Sequence, residues 1–219
     1  MITIPDNYRG KNVNQAYQDY LKKAEQHKEQ PSPSIITPSH GDNTSRYILL
    51  PANQYCPKDL LIAKARSHDK KTWSQCQASL KTESHFMLSI RQFVDFLNLL
   101  QTDKVHDGSG AKVSTLERTT LFNDITEQRD PYRAEWLDAQ YAKKGKIWQV
   151  TYHKVQQDGS LIKTTEPLEA CLMTDKTPGI SLEDWLQTAN KQGLPPSNIK
   201  SGNLYYWSPR NEAVSGFRA

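Results

Sequence analysis

Apolar residues recur along this chain with two different periods, one helical and one typical of β-strands. In residues 89–102 an apolar side chain returns every three or four positions, from Ile90 to Leu100. Ser89 and Gln92 occupy the two positions of a capping box, which marks the start of a helix. The pattern therefore predicts a main core helix here.

Other stretches are also predicted to be helical. Residues 13–27 carry a stripe of Tyr and Leu side chains at spacings of three and four, and residues 72–80 have weaker helical character. Residues 181–190 begin with Ser181 as an N-cap and have acidic residues in their first turn. A short apolar turn of helix is predicted for residues 167–173.

Turn-forming composition divides the chain into regions. Residues 30–45 collect Pro, Ser, Gly, Asp and Asn, which sustain neither period. We therefore predict an N-terminal docking helix within residues 1–29, a linker or long loop at 30–45, and one folded domain at 46–219. Residues 103–114 are polar and contain glycine, so we predict an exposed loop there.

In the second part of the chain the pattern changes to strict alternation, which favours strands. Asp158-Gly159 suits the positive φ values of a tight hairpin turn. The alternation predicts a three-stranded antiparallel meander, with two or three helices packed on the curled sheet, in the α+β class. The predicted strands are residues 46–50, 60–65, 134–141, 147–155, 161–165 and 203–207, and a further strand begins at residue 213.

Composition and charge exclude some classes. Mean hydropathy is low at −0.76, but five Trp, ten Tyr and five Phe favour a folded chain over a disordered one. The 28 basic and 24 acidic residues give a net charge of +4 without a concentrated cationic block, so nucleic acid is not the expected partner. The sequence contains no apolar run long enough to span a bilayer and no signal-peptide core, so cytoplasmic localisation is the default expectation.

Candidate chemistry is sparse. Cys56, Cys76 and Cys171 are odd in number and far apart, which favours reduced structural thiols. We expect no metal and no cofactor, because the Cys and His residues lack ligand spacing. His153 lies on the polar face of its predicted strand, and no nucleophile motif accompanies it, so we interpret it as a solvated histidine. The sequence lacks the common catalytic motifs, which predicts a protein that is not an enzyme.

The densest aromatic patch lies in residues 201–219, where Tyr205, Tyr206 and Trp207 are consecutive. Alternation places Leu204 and Tyr206 on one face of the strand and the other two aromatic residues on the opposite face. Tyr, Trp, Arg, Asn and Ser are also the residue types of evolved binding surfaces. The alternative is that at least two of the three aromatic side chains are core residues.

The YYW-x-P strand followed by VSGFRA resembles the variable region in target proteins of diversity-generating retroelements, of the kind found in archaea and their viruses. The upstream segments ILLPANQYCPKDLLIA (48–63), EWLDAQY (135–141) and EPLEACLM (166–173) are similar in order and distance. The resemblance implies a C-type lectin fold of the formylglycine-generating-enzyme type, with a variable region starting near residue 203. Members of that family continue beyond Ala219, so it also implies a chain truncated within the variable region, with residues 208–219 at an open sheet edge.

The same resemblance implies a non-enzymatic, receptor-like protein that binds a protein or another macromolecule through its diversified C-terminal surface. The alternative is a mobile-element or phage-borne interaction protein with no diversified site, whose aromatic C-terminus belongs to the core. An enzyme is a third possibility, although the resemblance supplies no catalytic cysteine. The candidate ligand-binding residues are Tyr205, Tyr206, Trp207, Ser208, Arg210, Asn211, Ser215 and Phe217.

Overall fold

A computed structural model describes residues 7–8, 11–12, 44–130, 134–173, 179–206, 209 and 214–218. The chain forms two compact units, Met1–Ser34 and Ile35–Ala219. In the first unit, strand β1 (Asn7–Tyr8) pairs antiparallel with strand β2 (Lys11–Asn12). The docking helix predicted for residues 13–27, and residues 30–43 of the predicted linker, lie outside the described residues.

The second unit combines helices with antiparallel strands and belongs to the α+β class, as the sequence predicts. Its first described element is a 3-10 helix at Thr44–Arg46. Its strands are β3 (Tyr47–Leu50), β4 (Leu60–Ala63), β5 (Ala134–Lys144), β6 (Ile147–Val155), β7 (Leu161–Pro167), β8 (Tyr205–Tyr206) and β9 (Val214–Arg218). Its helices are α1 (Trp73–Thr82), α2 (Ile90–Leu100), α3 (Thr115–Thr126) and α4 (Leu182–Thr188).

Strands β5 to β9 form a five-stranded antiparallel sheet in the order β7-β6-β5-β9-β8, and β3 pairs separately with β4. The predicted meander is confirmed, and Gly159 takes a φ of 88° in the turn before β7. The predicted edge position of residues 208–219 is wrong for β9. Arg218 pairs with Ala134 on one side and with Tyr205 on the other, so β9 lies inside the sheet and β8 lies at its edge.

Side-chain caps set where the helices begin. Ser89 and Gln92 form the predicted capping box of α2, and Thr72 with Gln75 forms another at α1. The Ser181 hydroxyl accepts a hydrogen bond from the Asp184 backbone N–H and starts α4. These three helices confirm the predictions.

The short turn of helix predicted for residues 167–173 is wrong, because tertiary partners bind its backbone. The Glu169 N–H donates to Gln192 Oε1 at 2.9 Å, and the Leu172 N–H donates to the Pro195 carbonyl at 2.9 Å. Those N–H groups are not available for the bonds of a helical turn. The segment therefore forms no helical turn after β7 and bends at Ala170.

Two features around residue 114 differ from expectation. Helix α3 has no predicted counterpart, because Thr126 is its only fully buried residue and it lacks an apolar stripe. The loop predicted at residues 103–114 is exposed at most of its positions, as expected, but it is also held against β3, since the Leu49 N–H donates to the His106 carbonyl. Val105 and Val113 are buried within that loop.

Helix α2 separates two apolar clusters and contributes to both. Phe93 and Leu97 pack in the cluster that contains Trp185 and the central sheet, whereas Phe96 packs with β3 and β4. Because α2 is apolar on two faces, it packs against both clusters and lies at the centre of the domain. None of the helices in the described part of the chain combines the length and apolar character that crossing a bilayer requires.

Candidate functional site

The C-terminal residues predicted to contact a ligand do not share one environment. The Tyr206 side chain is 1% exposed and Ser215 is fully enclosed, whereas Tyr205 is half-buried. Phe217 lies in β9, directly opposite Tyr206 in the register. This corrects the prediction for Tyr206 and Ser215, which support the sheet and cannot contact a surface ligand. Trp207, Ser208, Arg210 and Asn211 lie outside the described residues.

Tyr206 belongs to a buried polar cluster with Tyr141, Ser215 and Cys171. Burial raises the pKa of Tyr141, and the neighbouring Ser215 and Tyr206 side chains lower it only in part. Burial also raises the pKa of the Cys171 thiol to about 11. A protonated, buried thiol is a poor nucleophile, and all four side chains of the cluster are buried.

A cavity of about 320 Å³ opens between the first turn of α2, the middle of β6 and residues 191–194. This volume lies in the range of small-molecule sites. Apolar wall residues include Ile90, Val150 and Leu194. The polar and aromatic part of the wall contains Tyr55, Arg91, Tyr152, Lys154, Glu166 and Gln192.

Glu166 is one of the two acids of the wall and is held by three side chains. Its Oε1 atom accepts hydrogen bonds from the Tyr152 hydroxyl at 2.9 Å and from Gln192 Nε2 at 3.0 Å, and its Oε2 atom lies 3.1 Å from Lys154 Nζ. Burial acts to raise the pKa of Glu166, but the bonds from Gln192, Lys154 and Tyr152 outweigh it and leave that pKa below its usual value. The carboxylate is therefore ionised at neutral pH.

The two tyrosine rings of the wall each face a cation. The Arg91 guanidinium lies 5.0 Å from the centre of the Tyr55 ring, and Lys154 Nζ lies 5.5 Å from the centre of the Tyr152 ring. Arg91 is fixed in place, because it also donates to Asp95 Oδ1 at 2.7 Å. Lys154 is less constrained, since 46% of its side chain is exposed.

A second polar arrangement joins β5, β6 and α1. Asp138 lies where the β5–β9 register shifts, and such bulges often re-aim a side chain. Its side chain is 5% exposed and accepts from Gln77 Nε2 at 2.9 Å and from the His153 backbone N–H at 2.7 Å. The His153 ring, predicted to be merely solvated, lies with Nδ1 3.0 Å from Asp138 Oδ2.

This pair gives folding a specific pH dependence. The hydrogen bond to Asp138 raises the pKa of His153, and partial burial offsets it only in part. The stabilisation is thus fully present below the unfolded-state pKa of about 6.5 and is lost as pH rises through the higher folded-state pKa. We expect the difference in free energy of unfolding between wild type and His153→Gln to shrink as pH rises from 5.5 to 8.5 in urea titrations. A difference that stays constant or grows over this range contradicts the assignment.

Potential metal ligands and the three cysteines were located within the described part of the chain. No three His, Cys, Asp or Glu side chains among those residues are grouped so that they could hold a metal ion. Cys56, Cys76 and Cys171 form no disulfide bond and are all buried.

No family model, curated protein or solved structure matches this chain.

Sequence reasoning did not find the cavity. Alternation along β6 does put Tyr152 and Lys154 on one face, and this was the only available signal. Nothing in the sequence indicates that Glu166, Gln192 and Arg91 join them, because these residues are brought together only by the tertiary fold. The Asp138–His153 pair was missed for the same reason.

Proposed function

We propose that this chain is a non-enzymatic binding protein that presents its C-terminal segment, as a diversified ligand-contact surface, on a C-type lectin-like scaffold. One observation carries the proposal. Strands β8 and β9 are both paired in the central sheet, so the connection at residues 207–213 is tied to the scaffold at each end.

The residue types of this connection favour binding. It carries Trp207, Ser208, Arg210 and Asn211, and the half-buried Tyr205 precedes it. Tyr and Trp supply large contact areas at low entropic cost, and Ser and Asn supply adaptable hydrogen bonds. Binding residues are common on connections that a rigid scaffold positions. A protein or another macromolecule is the proposed ligand class.

The second candidate is an interaction protein with no diversified site. It is favoured by the burial of Tyr206 and Ser215 in the two C-terminal strands. The two candidates differ in what they require of the connection. A display surface tolerates substitution there, whereas a core segment does not.

A display library tests the proposal. We would randomise Tyr205, Trp207, Ser208, Arg210 and Asn211 together on yeast and score resistance to protease as a measure of folding. We expect most members to remain resistant, because substitutions within a display surface cost little stability. Selection against an unrelated folded protein such as lysozyme is then expected to yield binders.

The matched control library randomises the same number of enclosed positions, and most of its members are expected to lose protease resistance. If the first library loses resistance as often as the control, the connection is core and the second candidate is favoured. A resistant library that yields no binder against several targets also counts against a display surface. The control positions are Leu137, Tyr141, Leu204, Tyr206 and Ser215.

A further inference from the structure

The ammonium group of Lys154 lies between an aromatic ring and a carboxylate of the cavity wall. Its Nζ atom lies 5.5 Å from the centre of the Tyr152 ring and 3.1 Å from Glu166 Oε2. An aromatic face beside a carboxylate is a common way for proteins to hold an organic cation. The site therefore has the chemistry of a cation subsite and currently contains a cation from its own chain.

The acceptor in this subsite does not depend on Lys154 for its orientation. Glu166 Oε1 is held by the Tyr152 hydroxyl and by Gln192 Nε2. Gln192 is 8% exposed and is itself fixed, because Nε2 also donates to the Pro167 carbonyl and Oε1 accepts from the Glu169 N–H. Glu166 Oε2 would thus keep its position, and its negative charge, if the lysine moved away.

Lys154 is also the member of the arrangement that can most easily leave. Its side chain is 46% exposed, and its ammonium group is carried on a flexible four-carbon stem. The ammonium group can therefore return to water at little cost in free energy. Arg91, by contrast, has a side chain only 12% exposed and is bound to Asp95 and to the Asn190 carbonyl. Departure of Lys154 opens the subsite toward a cavity of about 320 Å³.

We propose that this cavity binds a small organic amine, whose alkylammonium group replaces Lys154 Nζ between the Tyr152 ring and the Glu166 carboxylate. Lys154 then acts as an intramolecular competitor that sets the affinity. The apolar part of the ligand lies along Ile90, Val150 and Leu194. This site is separate from the C-terminal connection, so it does not depend on the proposed display function.

The test is a titration of the full chain with 4-phenylbutylamine at pH 7, in which NMR chemical shifts of the protein measure the dissociation constant. We expect saturable binding to wild type and about fivefold tighter binding to Lys154→Met, because the internal competitor is removed. Lys154→Gln provides a second variant with the same expected direction. Adding Glu166→Gln to either variant is expected to lower the affinity at least about tenfold, since the carboxylate is the ionic partner.

Two controls separate this site from general effects. Lys144→Met removes an exposed lysine of β5 that does not line the cavity, so it changes the net charge by the same amount and is expected to leave the affinity unchanged. The neutral analogue 4-phenyl-1-butanol is expected to bind far more weakly than the amine. The proposal is overturned if wild type shows no saturable binding, if neither Lys154 variant binds more tightly, or if the alcohol binds as well as the amine.

Discussion

Replacing Gly193 with alanine is expected to lower the free energy of unfolding by about 2–5 kcal/mol, from left-handed strain of roughly 1–2 and overpacking of roughly 1–3. Gly193 has a φ of 81°. A Cβ atom there would lie 2.4 Å from the Arg91 backbone nitrogen and 2.5 Å from the Ile90 carbonyl carbon. Both are backbone atoms of the first turn of α2, so the contact cannot be relieved by a side-chain rotation. Urea denaturation followed by tryptophan fluorescence measures the loss.

Gly145→Ala is the matched control. Gly145 also has a positive φ, 62°, but a Cβ atom there would meet nothing within 4 Å. It is expected to cost only the strain of a left-handed alanine, about 1–2 kcal/mol. The excess at Gly193 therefore measures how closely the chain approaches α2. Equal losses for the two variants would contradict this packing.

The close approach at Gly193 also ties the core to the cavity. The Gly193 carbonyl accepts a hydrogen bond from Trp185 Nε1 at 2.9 Å, and Trp185 is fully buried against Phe93. The next residues along the chain on either side, Gln192 and Leu194, line the cavity. The same short segment thus fixes the position of α4 relative to α2 and positions the hydrogen bonds around Glu166.

Elements with a strong local signal could be predicted from the sequence. The apolar stripe from Ile90 to Leu100 and the Ser89–Gln92 capping box specify α2 without reference to any other part of the chain. Asp158-Gly159 and the alternation on both sides of it specify the β6–β7 hairpin in the same way. Such features depend on residues that are close together in the sequence. Their positions can therefore be predicted from the sequence alone.

Features that depend on distant residues could not be predicted. Helix α3 packs on the core through Leu121, Phe122 and Ile125 in its second half. Its first half is held by charged side chains, such as Glu117 with Lys64 at 2.7 Å, so the apolar pattern is too short to predict a helix. The interior position of β9 depends on its pairing with both β5 and β8, which are widely separated in sequence. The cavity wall likewise combines Arg91, Tyr152 and Glu166 from three different elements.

Tyr206→Ala is expected to be the second large effect, with a loss of about 3–5 kcal/mol in the free energy of unfolding, as for other enclosed aromatic residues. Tyr206 is 1% exposed and packs in the main core cluster with Tyr141 and Leu204. Its strand, β8, is only two residues long, and of those two residues only Tyr206 belongs to that cluster. Thermal and urea denaturation measure the loss.

The neighbouring residue provides the control, because alternation turns its side chain the other way. Tyr205 is half-buried, and Tyr205→Ala is expected to cost about 1 kcal/mol or less. Tyr206→Phe keeps the ring and removes the hydroxyl from its contacts with Tyr141 and Cys171, at a cost of about 1 kcal/mol. If Tyr205→Ala proves the more damaging substitution, the two faces of β8 are reversed, and Tyr205 then belongs to the core and leaves the proposed display surface.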